Sequence, residues 1–101
     1  MSKLIERFVE TSTGGPDAEA RAGTGSQVVA IAYGAGGEEL ATVEVGGVNG
    51  YTFTGNVLAW GASAALAGGI EKSGALGPAE AYGLDALEAG CAEAGISRVP
   101  A

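Results

Sequence analysis

Histidine is missing from this 101-residue chain, and cysteine, basic residues and large aromatic side chains are scarce. Without histidine, and with Cys91 as the single cysteine, the sequence offers no ligand set typical of a zinc site. A serine or cysteine nucleophile would also need a lysine or a carboxylate as its base, because the usual histidine is absent. One cysteine excludes an intrachain disulfide, which fits a reducing cytoplasm.

The scarcity of basic residues limits the kinds of molecule that we expect this chain to bind. Five lysines and arginines face twelve aspartates and glutamates, for a net charge of −7. Nucleic acids and anionic membrane surfaces both attract clustered basic residues, so we expect neither as a partner. The start of the chain, residues 1–7, has no apolar core typical of a signal peptide, and a cytoplasmic location is expected. The stretch 53–70 is rich in alanine and glycine, and it is too weakly apolar to predict a membrane span.

The size and the small side chains predict one modest domain over residues 1–101. A folded chain of this length has a radius of gyration of about 13 Å and buries only a small core. Much of the 47% hydrophobic content is alanine, and nineteen glycines raise the entropic cost of ordering the backbone. We therefore expect a single copy of the chain, as a monomer, to be only marginally stable.

Two apolar segments and a short one near the C-terminus predict an antiparallel sheet. Residues 27–33 are apolar throughout, which is typical of a strand covered on both faces. A glycine turn leads to 39–46, whose alternating pattern predicts an antiparallel partner with one wetter side. Residues 96–99 are expected to add a short closing strand.

Helical patterns predict the rest of an α+β fold, in which this small sheet packs against a long apolar helix and a C-terminal amphipathic helix. The long helix is predicted over 52–67 and the amphipathic one over 84–94, with Gly95 as its C-cap. Residues 2–10 fit a short amphipathic helix or a strand end, and 11–26 reads as a long flexible loop that could contain one helical turn.

The predicted helix at 52–67 is the strongest sign of an incomplete structure. It is apolar nearly all round, which is typical of a buried helix. Two strands and a short helix can cover one flank of such a helix but hardly both. We therefore expect a contact with a partner, at which Phe53, Val57 and Trp60 lie.

The glycine-rich segments do not match the nucleotide-binding fingerprints. A dinucleotide site needs G-x-G-x-x-G between a strand and a helix, and a P-loop needs a Gly-Lys-Ser/Thr sequence. Residues 34–37 join two strands, 23–26 precede a strand, and 46–50 have the right context with the wrong spacing. No cofactor site is therefore expected in this chain, and turns are the simpler role of these glycines.

The turn that enters the long helix is the candidate binding surface. Asn49, Tyr51, Thr52 and Thr54 supply an amide, three hydroxyls and helix N-terminal N–H groups, a set suited to a carboxylate or carbonyl ligand. The alternative is a turn with a helix cap. Glu44 lies in the middle of the second predicted strand, beside valines. It is either a carboxylate on the wetter face of the sheet or a buried carboxylate that faces a substrate. No catalytic residues are predicted.

Several short motifs occur in an order that resembles a known family. Gly14-Gly15-Pro16-Asp17 precedes the two strands, and Gly47-x-x-Gly50-Tyr51-x-x-Thr54 leads into the helix. Gly74-Ala-Leu-Gly-Pro78 precedes the last helix. Over residues 12–99 this order resembles the C-terminal, non-Rossmann domain of saccharopine dehydrogenase-like oxidoreductases.

The resemblance implies a function that this chain would share with a second component. Family members bind NAD(P) on an N-terminal Rossmann domain, and a second α+β domain forms the substrate side and often the subunit contact. The chain would be that second domain or a fragment of it, not catalytic by itself, in a homodimer or with a Rossmann-domain partner. The alternative is a stand-alone module, binding a small molecule at residues 47–54 or serving as an oligomeric structural unit.

Overall fold

The computed structural model describes residues 15–100, which form four helices and three strands. The segment 2–10, predicted as a helix or strand end, lies outside the described residues. In chain order the elements are α1 (Ala18–Ala22), β1 (Gly25–Tyr33), β2 (Glu39–Val48), α2 (Gly50–Leu66), α3 (Pro78–Tyr82), α4 (Leu84–Ala94) and β3 (Ile96–Arg98).

The three strands form one antiparallel sheet in the order β1-β2-β3, which confirms the predicted α+β class. In the β1–β2 hairpin, Val28 lies opposite Val45 and Val29 opposite Glu44. The short strand β3 pairs only with residues 45–47, at the end of β2 that is far from the hairpin turn. The greater part of the hairpin therefore extends past β3 with two strands alone.

Local capping explains where the two longer helices begin and end. The Asn49 side chain accepts a hydrogen bond from the Thr52 N–H at 2.9 Å, which satisfies one of the free donors at the start of α2. Helix α4 ends at Gly95, whose φ of 112° is left-handed and suits glycine. Helix α2 is confirmed as an element, but its description as a long apolar helix is not, and Leu58 and Leu66 on it are exposed.

Helices α2 and α4 pack closely because α4 has a glycine where α2 has a tryptophan. The Trp60 ring lies directly against the backbone of Gly90, where a Cβ atom would overlap it. Tyr82 packs against Trp60 with the rings tilted by 50° and their centroids 5.0 Å apart, and it donates its hydroxyl to the Gly61 carbonyl at 3.0 Å. This cluster is the main contact between helices in the described chain.

The sheet, by contrast, is covered only near β3. There α4 lies beside the sheet, and Arg98 of β3 pairs with Glu88 of α4 at 2.5 Å. Along β1, successive side chains point to opposite faces, yet Val28 is 56% exposed and Val29 is 51% exposed. The prediction of a strand covered on both faces is therefore not met by the described residues of one chain.

Two short helices add to the predicted elements, and the first lies where the sequence allowed one helical turn. Helix α1 occupies part of the predicted loop 11–26, and Asp17 caps it by accepting from the Ala20 N–H at 2.9 Å. Strand β1 also begins two residues earlier than predicted, at Gly25. Helix α3 starts with Pro78 in its first turn, a favoured position for proline, after the glycine-rich loop.

The contact between Trp60 and Gly90 leads to a stability prediction. Gly90→Ala should lower the free energy of unfolding by about 1–3 kcal/mol, because the new methyl group displaces the indole ring. Gly55→Ala is the matched control within a helix, since nothing lies within 4 Å of the added Cβ. The control should raise the free energy of unfolding by about 0.4–1 kcal/mol. Urea unfolding at one fixed protein concentration measures the free energy of unfolding of both variants. Equal changes in the two variants would contradict the close contact between Trp60 and Gly90.

Candidate functional site

Asn49 is the most constrained side chain of the predicted binding turn. It is 7% exposed, and its amide N–H₂ group donates to the Arg21 carbonyl at 2.8 Å and to the Thr52 hydroxyl at 2.9 Å. Its oxygen caps α2 by accepting from the Thr52 N–H. Asn49 therefore ties α1 to the start of α2, and both of its donor hydrogens are engaged within the chain.

The other predicted residues of the turn differ in how free their polar groups are. Thr52 accepts from Asn49, and Thr54 donates its hydroxyl to the Gly50 carbonyl at 2.7 Å. Tyr51 is 63% exposed, and its ring lies beside Gly15. The structure therefore brings Asn49, Tyr51, Thr52 and Thr54 together, with Tyr51 as the side chain that solvent reaches most freely.

Glu44 lies apart from this turn. It is five residues before Asn49 on an extended strand, a distance of roughly 16 Å at 3.3 Å per residue. The residue is half-buried, and its carboxylate accepts a hydrogen bond from the side-chain amide of Gln27 on β1. The helices approach the opposite face of the sheet, so Glu44 occupies the outer face and does not join the turn residues in one site.

Shallow grooves flank Asn49 on both sides. One has a volume of about 640 Å³ and lies between α1 and the ends of β2 and α4. The other, also about 640 Å³, lies between α1 and the first turn of α2. Residues lining this second groove are Pro16, Ala20, Thr24, Gly25, Asn49, Gly50, Tyr51 and Thr54. The lining has hydroxyls and backbone groups but no carboxylate, so it offers hydrogen bonds rather than acid–base chemistry.

A larger and mostly apolar groove runs between the sheet and the helices. It has a volume of about 810 Å³, and Phe53 of α2 lies at its wall. The apolar side chains around it are Val28, Val43, Val45, Phe53, Leu84, Leu87, Cys91 and Ile96. In the described part of one chain these side chains line an open groove rather than a filled core.

The three predicted interface residues have different surroundings. Phe53 and Val57 are half-buried, and Phe53 borders the apolar groove. Trp60 is half-buried and contacts Gly90 and Tyr82 of the same chain. The sequence could not reveal this internal contact, because it depends on a glycine thirty positions away. The sequence pattern also did not predict that β1 is an exposed edge of the sheet. The absence of charged residues between 25 and 33 distinguishes this strand from an ordinary edge strand and could have drawn attention to it.

Electrostatics give little support for a reactive centre. The hydrogen bond and the negative charge of Glu88 raise the pKa of Arg98 above its ordinary value. Among residues 15–100, no three histidine, cysteine, aspartate or glutamate side chains are grouped as a metal site would require. Over the same range, no helix has the length and apolar character needed to cross a membrane.

Comparisons with known proteins leave the family open. No protein-family model, no curated protein and no solved structure matches this chain. The resemblance to saccharopine dehydrogenase-like oxidoreductases therefore stays a prediction from the sequence.

The hydrogen bonds of Asn49 predict a structural effect of its removal. Asn49→Ala should lower the free energy of unfolding by about 1–3 kcal/mol, since it removes the cap of α2 and the shortest hydrogen bond to the Arg21 carbonyl. Thr54→Ala, an exposed position in the same turn, should change it by no more than about 0.5 kcal/mol. Chemical denaturation measures the free energy of unfolding of both variants. An Asn49→Ala variant as stable as the unsubstituted chain would contradict the structural role of Asn49.

Proposed function

We propose that this chain is an association domain that is not catalytic by itself. The observation that carries the proposal is the exposure of β1 on both faces of the sheet. Val28 on one face and Val29 on the other are each about half exposed, and Ile31 is 44% exposed. Apolar side chains on both faces of one strand are typical of a strand that is covered on both sides.

The proposal extends to the family that the sequence resembles. As the substrate-side and association domain, or a fragment of it, in a saccharopine dehydrogenase-like oxidoreductase, the chain would act in the cytoplasm. NAD(P) would then bind to a separate Rossmann domain, and this chain would supply subunit contacts and one wall of the substrate site. The apolar groove and the exposed hairpin support an association role, because both leave apolar surface for a partner to cover.

Size-exclusion chromatography with light scattering tests the association role. The chain should have the molar mass of a dimer at micromolar concentration, because burial of the hairpin stabilises the folded protein. Dilution should shift the population toward a single chain of 9.8 kDa, with a lower melting temperature. A stably folded single chain at every concentration would contradict the proposal of self-association.

A second candidate function is the binding of a small molecule at the turn, and the groove beside Tyr51 favours it. This groove places an exposed aromatic ring next to the Thr54 hydroxyl and the backbone of Gly25. Such a combination suits a small polar ligand with one flat apolar face.

Thermal shift measurements with a panel of amino acids and dicarboxylates test this second function. A bound compound should raise the melting temperature in proportion to the logarithm of its concentration. Tyr51→Ala should abolish that rise, whereas Leu58→Ala, an exposed position one helix turn beyond the groove, should leave it unchanged. A rise that survives Tyr51→Ala would place the ligand elsewhere.

A further inference from the structure

Strand β1 is an open sheet edge with little of the usual protection, since its one register irregularity lies at its end, between Ala32 and Tyr33. Within the described residues it has one neighbour, β2, and its other side carries no strand. From Gly25 to Tyr33 it contains no charged residue and no proline. Natural proteins usually guard exposed edges with lysine, proline, bulges or short length, since an open edge pairs readily with another strand. A nine-residue edge without charge is therefore suited to pairing.

The pattern of hydrogen bonds shows which backbone groups of β1 are free. The Glu44 carbonyl accepts from the Val99 N–H, so the backbone groups of Glu44 point toward β3. Val29 lies opposite Glu44, and its own N–H and C=O must therefore point away from β2. By the alternation along a strand, the groups of Gln27 and Ile31 also point to the open edge.

We infer that β1 pairs antiparallel with β1 of a second copy of this chain, around a two-fold axis at Val29. This inference rests on the proposed association role and names its surface. The product is a continuous six-stranded sheet in which the two β1 strands lie at the centre. It satisfies the open backbone groups without any change in the hairpin of either copy.

Self-pairing fits this strand because the two-fold arrangement makes its free groups complementary. Val29 lies opposite Val29 of the other copy, and Gln27 lies opposite Ile31. Each of these pairs exchanges two N–H···O=C bonds, as hydrogen-bonded pairs of an antiparallel ladder do. A two-fold interface joins the same patch of both subunits. Strand β1 can therefore pair with its own copy, because its free backbone groups are evenly spaced on either side of Val29.

Charge does not oppose the arrangement despite the net charge of −7. The nearest carboxylate to the axis is Glu44, on β2 beside Val29. In the six-stranded sheet the two Glu44 residues are three strand spacings apart, about 14 Å at 4.7–4.9 Å per spacing. This separation is beyond the Debye length of about 8 Å at physiological ionic strength, so their repulsion is largely screened. The apolar side chains of β1 contact those of its copy laterally on both faces.

Disulfide trapping tests the pairing in the full chain. Both variants carry Cys91→Ser, so that the introduced cysteine is the only thiol. In Val29→Cys the two Cα atoms are about 5.5 Å apart across the axis, within the range that a disulfide bridges. The matched control is Thr42→Cys, an exposed position on the same face of the neighbouring strand β2. Its two copies are at least about 14 Å apart in the six-stranded sheet, beyond the reach of a disulfide.

The outcomes separate this inference from the association role. With oxidised glutathione as oxidant, Val29→Cys should form a covalent dimer at least ten-fold faster than Thr42→Cys. Equal rates would reflect random collision and overturn the pairing. A dimer by light scattering in which Val29→Cys does not cross-link would overturn the pairing alone, whereas a wild-type monomer would overturn the association role as well.

Hydrogen exchange provides a second readout without substitutions. In the dimer, the amides of Gln27, Val29 and Ile31 should exchange slowly and should become faster as the protein is diluted. The amides of Val28 and Ala30, which point toward β2, are the internal control and should respond less to dilution. Slow exchange of the first three amides in a monomer would mean that another part of the same chain covers the edge, which would also overturn the pairing.

Discussion

The insertion of Trp60 against the bare backbone of Gly90 is the contact on which the arrangement of the described chain depends. It brings α2 and α4 together, and Tyr82 closes the cluster from α3. The single tryptophan of the chain therefore packs between helices. Few of the residues between 15 and 100 remain to cover the sheet, so within this range the apolar groove is open and the hairpin extends past β3 with both faces exposed.

The functional proposals follow from this division of the chain. The helices pack on one another, whereas the β1–β2 hairpin is largely exposed within the described residues, and a two-stranded hairpin alone is only marginally stable in water. The turn around Asn49 connects the two parts, and its hydrogen bonds are mostly internal. The described surface that supports an association role is therefore larger than the surface that supports a ligand site.

Part of the fold could be predicted because it is encoded locally. The alternation at 39–46, the turn before it and the glycine after Ala94 fix the strands and the end of α4 within a few residues. The short helices α1 and α3 were less predictable, since each depends on one cap or one proline in a loop-like sequence. The predicted turn residues do lie together, but Glu44 does not join them, because strand length separates it from α2.

The sequence by itself determined the α+β class and the small side chains of the core, and its lack of histidine excludes a histidine-based site. These properties depend on composition and on periods of two and 3.6 residues, which are local. Only the tertiary structure decided that Trp60 faces Gly90 and that β1 is an open edge. Both depend on which distant segments meet, and a glycine or an uncharged strand acquires its role only from the neighbour placed beside it.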